Sequence, residues 1–492
     1  MSFLLLEASN VEKAFADVQI LNIKNFRIYA GDRIGFVGPN GCGKTTLLNI
    51  LSGEMAPDSG SIRRWCDIAY IHQFFQSIHD EAADSHLARK LGQYGVLAKA
   101  GNPQISGGEA TRIQLVQALS TTGQLVFADE PTSSLDIYGV KQFSRELEGI
   151  ESFILISHDR ALLNRHCNRI ITLENGDIAV YEGNYGAYKE QVEAKRQRQV
   201  FEYEQYKGEK ERLTRAHSDK KSRAHKVEKK PRGKSSSDAK MQGFATNKPP
   251  GGKARSLEQA AKAIQARIDQ MDVKERPREQ AQIKLNFALT DPPRNKVVLS
   301  GEGINFSHGD ISLFENAAFE VENGARIALQ GINGSGKTTL LNLINHGDKS
   351  IYTVPKLRIG YFRQGFENID PGKTVLQNTV DTAVQKESTI RAVLARLLFN
   401  SDSIKKPAGV LSGGERVKLG LAKLLLSDCN MLLMDEPTNF LDMPSLEVLQ
   451  GILAEYEGTM IFVSHDQSFV DAICTELMVI EGKNLIQYKR SQ

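Results

Sequence analysis

The string GPNGCGKTT, Gly38 to Thr46, returns almost unchanged as GINGSGKTT, Gly331 to Thr339. Later strings return with it. Leu125 to Asp129 (LVFAD) is echoed by Met431 to Asp435 (MLLMD), and Phe153 to Ser157 (FILIS) by Met460 to Ser464 (MIFVS). A duplication of this kind constrains the fold more than any composition, because the chain must build one unit twice. The unit is α/β. Apolar runs of strand length, among them Asp32 to Gly38, Ala325 to Gly331 and the pairs above, alternate with helical patterns such as Thr45 to Leu51, Ala110 to Leu119 and Gly139 to Leu147. That layout predicts a largely parallel sheet. Phe3 to Val11 and Val18 to Tyr29 add strand-like runs. The second copy has the longer stretch between Gln364 and Ser412, against Gln73 to Ser106 in the first.

Each repeated string is a phosphate-binding loop in its proper context, after a strand and before a helix. In Gly38-Pro39-Asn40-Gly41-Cys42-Gly43-Lys44-Thr45-Thr46 and in Gly331-Ile332-Asn333-Gly334-Ser335-Gly336-Lys337-Thr338-Thr339, glycines let backbone N–H groups close on phosphate oxygens. The helix start adds its positive dipole end. Lys44 and Lys337 are placed to reach the β- and γ-phosphates, and the Thr45 and Thr338 hydroxyls to ligate Mg²⁺. Asp129-Glu130 and Asp435-Glu436 end an apolar strand in each copy. There the aspartate suits Mg²⁺ held through water, and the glutamate suits polarisation of an attacking water.

Between the copies lies a polar, helical stretch. Tyr188, Val192, Val200, Tyr203, Tyr206 and Leu213 recur at helical spacings, and Leu257, Ala261, Ile264, Ile268 and Met271 step as a coiled-coil seam. The pattern predicts two antiparallel helices. The first runs from about Tyr185 to Lys221. Pro231, Gly233 and Pro249 to Gly252 make the far end a loop, and Pro277 stops the second helix. The expected division is residues 1–184, 185–277 and 278–492. From Lys220 to Arg255, twelve Lys and Arg residues face two carboxylates, so this segment carries +10 and the rest of the chain −7 of the net +3. Two readings of it stand: a contact for a polyanion, or a solvated loop. Met241 and Phe244 inside it either pack on nucleotides or fold back on the loop.

Five cysteines, Cys42, Cys66, Cys167, Cys429 and Cys474, show no paired or metal-ligand rhythm, which points to a reduced compartment. The Phe3 to Leu6 run is short for a signal peptide and lacks a basic leader. No apolar run approaches the length of a membrane-spanning helix.

With these strings in place, the chain resembles the ATP-binding cassette (ABC) ATPases over nearly all of both repeats. Ser106-Gly107-Gly108-Glu109 and Ser412-Gly413-Gly414-Glu415 resemble the family's signature motif. Gln73 and Gln364 resemble the Q-loop glutamines, which also touch the metal, and His158 and His465 the switch histidines. Ser133-Ser134-Leu135-Asp136 and Asn439-Phe440-Leu441-Asp442 resemble the D-loop. Phe15 and His308 fall where the family stacks an aromatic ring on adenine. The resemblance implies two ATP sites in a head-to-tail sandwich within one chain acting as a monomer. Each site joins one copy's Lys, Gln, Asp, Glu and His to the other copy's signature.

Tandem cassettes around a helical hairpin resemble the ABC-F class, whose members bind the ribosome. The short body with a long linker is most similar to its antibiotic-resistance group, the Vga, Msr and Lsa type. That implies a cytoplasmic protein whose linker tip meets rRNA and tRNA on the exit-site side and reaches toward the peptidyl-transferase centre. The antibiotic class is left open. So are a translation factor without a drug role, an ATPase docking on a separate membrane protein, and a DNA-binding ATPase.

Overall fold

The computed structural model describes residues 3–16, 18–72, 113, 116, 125–133, 135–174, 176–228, 250–274, 291–309, 311–363 and 369–490. They form two compact units, one of residues 1–188 with 281–492, the other of residues 189–280.

The first cassette opens with two long strands, β1 (Leu4–Phe15) and β2 (Val18–Tyr29), which pair antiparallel. β3 (Arg33–Val37), helix α1 (Lys44–Ser52), β4 (Ser59–Arg64), β5 (Ile68–Ile71) and β6 (Leu125–Asp129) follow. Then come α2 (Ile137–Glu148), β7 (Phe153–Ile156), α3 (Arg160–His166), β8 (Arg169–Glu174) and β9 (Asp177–Glu182). The strands form a six-stranded sheet in the order β5-β6-β7-β3-β8-β9, parallel except for the β8–β9 hairpin. Every residue of β6 and of β7 is buried, as continuous apolar runs in a two-sided parallel sheet must be.

A separate antiparallel sheet, β2-β1-β4, stands beside the largely parallel sheet that the sequence predicts. Alternation along β1 turns Leu6, Ala8 and Val11 inward, and these pack with Leu47 and Leu48 of α1 and Phe127 of β6. The antiparallel sheet thus covers one face of the parallel sheet. A second core on the other face gathers Phe143 of α2, Leu155 of β7 and Leu162 of α3.

The interposed unit holds most of α4 (Tyr185–Glu228) and all of α5 (Pro250–Asp269). Glu209 lies 3.4 Å from Arg267 and Glu202 lies 3.8 Å from Lys274, so one helix rises in number as the other falls and the pair is antiparallel. Leu213 and Ala261 are buried, and Leu257, Ile264, Ile268 and Met271 are half-buried along the expected seam. The ends differ from expectation. α4 continues to Glu228, past Lys221; its 44 residues make about 66 Å. Pro250, Gly251 and Gly252 form the first turn of α5 rather than the loop, since proline's fixed φ and missing N–H cost nothing at that position. α5 ends at Asp269, before Pro277 is reached. Met241 and Phe244 lie outside the described residues.

The second cassette repeats the first. β10 (Val297–His308), β11 (Ile311–Glu322), β12 (Arg326–Gln330), α6 (Lys337–His346), β13 (Ile351–Thr353) and β14 (Ile359–Phe362) lead into the longer insertion. The stretch between Gln364 and Ser412 holds α7 (Val375–Val380) and α8 (Glu387–Arg396). α9 (Gly413–Leu426), β15 (Met431–Asp435), α10 (Met443–Glu455), β16 (Thr459–Val463), α11 (Gln467–Ile473), β17 (Glu476–Glu481) and β18 (Asn484–Lys489) complete it. Its sheets, β11-β10-β13 and β14-β15-β16-β12-β17-β18, match those of the first cassette strand for strand. Val393 and Leu394 of α8 pack with Leu421 and Leu425 of α9, so this stretch shares one core with the rest.

Candidate nucleotide-binding sites

In a parallel sheet the loops at the carboxyl ends of the strands form the crevice where ligands bind. The candidate residues gather there in both copies. The phosphate loop leaves β3 with Gly38 at φ 154°, Gly41 at 78° and Gly43 at 106°, conformations a side chain would resist. Gly43 is the N-cap of α1 and offers no side-chain oxygen to the helix's first N–H groups, which leaves them for an anion. A Cβ on Gly41 would meet nothing within 4 Å, so the loop's crest faces open space. Lys44 turns its ammonium back onto the carbonyls of Gly38 and Pro39, at 2.9 and 3.0 Å. Lys337 does the same to Gly331 and Ile332, at 2.9 and 3.1 Å. Both loops therefore present a built cradle for phosphates.

The Thr45 hydroxyl donates to Asp129 Oδ2 at 2.6 Å, and Thr338 to Asp435 at 2.7 Å. One hydroxyl and one carboxylate, paired at the foot of the cradle, are the oxygen donors that Mg²⁺ takes from protein. Burial, ahead of every other influence, raises the proton affinity of both aspartates.

Glu130 and Glu436 follow these aspartates with φ of 47° and 50°. A non-glycine residue there stores about 1–3 kcal/mol of strain, and the same outlier in both copies marks a held geometry. It sets each carboxylate 3.1 Å from the Nε2 of His158 or His465. Both oxygens of Glu436 are buried without a hydrogen-bond partner. Burial, and then the neighbouring Asp435, pushes its carboxyl up to about 8. Burial and Lys337 bring His465 down to about 4.

The cassettes meet at these sites. Asn40 of the first phosphate loop donates its backbone N–H to Asp442 Oδ2 at 3.2 Å and its side-chain amide to the Phe440 carbonyl at 2.8 Å. Asn333 N–H reciprocates to Asp136 Oδ2 at 3.1 Å. The other oxygen of each aspartate caps its own helix, Asp136 on α2 and Asp442 on α10. Ser412 caps α9 in a capping box with Glu415, and a Cβ on Gly414 would lie 2.6 Å from the Phe440 carbonyl and 3.4 Å from the Asn40 amide. Ser412 to Glu415 therefore stand beside the first phosphate loop, across the interface. The double service of Asp136 and Asp442 was not anticipated; their N-cap position was the available signal.

Phe15 ends β1, half exposed, with Lys13 Nζ 5.8 Å from its ring. His308 ends β10 in the same way. The β2 and β11 strands paired with them touch the loops, since a Cβ on Gly43 would strike Ile20 and one on Gly336 would strike Phe314. Gln73, Gln364, Ser106, Gly107, Gly108, Glu109 and Ser134 lie outside the described residues.

Sequence comparison accords with this arrangement. The ABC transporter family profile matches residues 21–133 and 314–439, a segment of each cassette. The chain belongs to the ABC-F class of ATP-binding cassette ATPases, with two ABC domains. It is 31% identical to the erythromycin resistance ATP-binding protein MsrA of Staphylococcus epidermidis, over 98% of each chain. It is 29% identical to the ribosome protection protein VmlR of Bacillus subtilis (strain 168), over 98% of this chain and 87% of that protein. Among solved structures, an archaeal ribosome recycling factor, aABCE1, in complex with a ribosomal stalk protein, superposes with a TM-score of 0.64 at 19% identity. The match covers 97% of this chain and 89% of that one, and shows the fold alone. Among the described residues, no helix is long and apolar enough to cross a membrane.

Proposed function

We propose that this chain is a cytoplasmic ATPase that binds the ribosome and protects it from a translation-targeting antibiotic. The observation that carries the reading is end-to-end similarity to a resistance ATP-binding protein and a ribosome protection protein. ATP lies with its phosphates on one loop, Gly38 to Thr46 or Gly331 to Thr339, and against the opposite signature, Ser412 to Glu415 or Ser106 to Glu109. Phe15 and His308 flank the adenines. Thr45 with Asp129, and Thr338 with Asp435, would hold Mg²⁺, joined by Gln73 and Gln364; bound there it would neutralise phosphate charge. Glu130 and Glu436 take the proton of the attacking water, and His158 and His465 orient them. Because each site is finished by the other cassette, nucleotide holds the cassettes together and its hydrolysis releases them. The basic linker tip, with Met241 and Phe244, contacts rRNA and tRNA.

Expression in a drug-susceptible bacterium tests the reading. The wild-type chain is expected to raise the inhibitory concentration of at least one ribosome-targeting drug, and Lys44→Ala with Lys337→Ala to abolish the rise. Unchanged susceptibility to every such drug, with the protein expressed and folded, contradicts the protective role.

A further inference from the structure

The second cassette carries a cavity of about 600 Å³ whose described lining includes none of the candidate ATP-site residues. Asn345 and His346 border it at the last turn of α6, Tyr361 and Phe362 come from β14, Arg363 follows them, and Lys423 comes from α9. The ten residues of α6 put about 15 Å between this end and the phosphate loop at the other.

Charge distinguishes the cavity. Among its described lining residues there are two permanent cations and a histidine but no carboxylate. Arg363 donates to Asn342 Oδ1 at 2.8 Å and lies 5.0 Å from the centroid of the Tyr361 ring, so its guanidinium is fixed over an aromatic face. The carboxylates that act on Lys423, Asp381 and Asp370, stand 2.7 and 3.9 Å from Lys373. The first cassette offers an internal comparison. There His72 replaces Arg363, stacks 3.9 Å from Tyr70, and sits 3.2 Å from Glu54. The position of Glu54, counted from the phosphate loop, is Gly347 in the second copy. One copy has histidine in the stacked pair with Glu54 beside it, and the other has arginine in the pair and glycine at the position of that glutamate.

We propose that this cavity binds one nucleotide unit of single-stranded RNA, with Arg363 and Lys423 on the phosphate and the base against the Arg363–Tyr361 stack. A fixed guanidinium, a second cation and an aromatic floor in a cavity of this size are the elements that hold an unpaired nucleotide. The choice of RNA over other phosphate esters rests on the ribosome-binding reading.

The test is photocrosslinking of the full chain to an oligouridylate carrying 4-thiouridine, followed by mass-spectrometric mapping. Adducts are expected on peptides containing His346, Tyr361 or Phe362. Arg363→Ser with Lys423→Ser is expected to lower their yield at least about fivefold, and Lys423→Arg alone to retain it. Binding of a fluorescent ATP analogue should not change. Adducts confined to the linker or the ATP sites overturn the proposal, as does an unchanged yield in the double variant. Excess uridine monophosphate is expected to leave the adducts in place; displacement would assign the cavity to a free nucleotide and overturn the RNA assignment. Ribosome sedimentation separates the two readings. Sedimentation without cavity adducts sinks this inference alone, and cavity adducts without sedimentation sink the ribosome reading alone.

Discussion

Glu436 shows how much the fold gives up to hold one carboxyl group. Its strained φ and its burial both cost stability. Because its folded pKa is raised from 4.5 to about 8, the folded state holds more protons than the unfolded one between those values. Its contribution is therefore whole below about 4.5 and declines as pH climbs through 8. Glu436→Gln removes that dependence, so the variant's gain in melting temperature should be larger at pH 8 than at pH 5. Equal gains at both would show that the carboxyl is not perturbed as described. Glu130→Gln with Glu436→Gln should lower steady-state ATP hydrolysis by about 10²–10⁴-fold, the usual weight of a general base, while nucleotide binding persists. Turnover at the wild-type rate would remove both glutamates from the chemistry.

Among the elements, α9 and α10 join the two sites. Gly414 opens α9 against the Phe440 carbonyl, and a methyl group there would displace that carbonyl, which accepts from the Asn40 amide of the first phosphate loop. Gly414→Ala should cut hydrolysis by about 10²-fold, the effect of misplacing a catalytic group by an ångström, with melting near wild type. An active Gly414→Ala enzyme would show that closure does not need this contact. On α10, Glu447 accepts from the hydroxyl of buried Tyr185 at 3.2 Å, and Gln450 accepts from Arg160 at 3.1 Å. Tyr185→Phe leaves the Glu447 carboxylate without that donor, at a cost of about 0.5–1.5 kcal/mol or more, measurable as a lower urea midpoint. An unchanged midpoint would make the bond incidental.

These contacts also show what the sequence could and could not disclose. The central strands were plain, because two-sided burial leaves LVFAD and MLLMD no polar residue until the closing aspartate. The phosphate loops were plain for a related reason: glycine, lysine and threonine at fixed spacing answer local geometry. The antiparallel sheets were missed because β1 and β4 meet only through register, with Ala8 opposite Ile62, which no local pattern encodes. The start of α5 was misplaced because Pro250 and Gly251 signal a loop in isolation. They sit in a first turn once the helix behind them has a partner. The cross-cassette bonds of Asn40 and Asn333 depend on residues some four hundred and two hundred positions away, beyond any window of sequence.

At the scale of the molecule, a duplicated ATPase is divided by a helical hairpin that carries the chain's positive charge. With a body at −7 and a segment at +10, any association with a polyanion would depend on salt more steeply than the net charge of +3 implies. The central claim is that nucleotide closes the two cassettes and that the closed form binds the ribosome. Co-sedimentation of the Glu130→Gln, Glu436→Gln chain with purified ribosomes tests it most directly. The account predicts that the protein pellets with ribosomes when ATP is present and stays in the supernatant without it. A chain that binds ATP yet never pellets, or pellets equally without ATP, would contradict it.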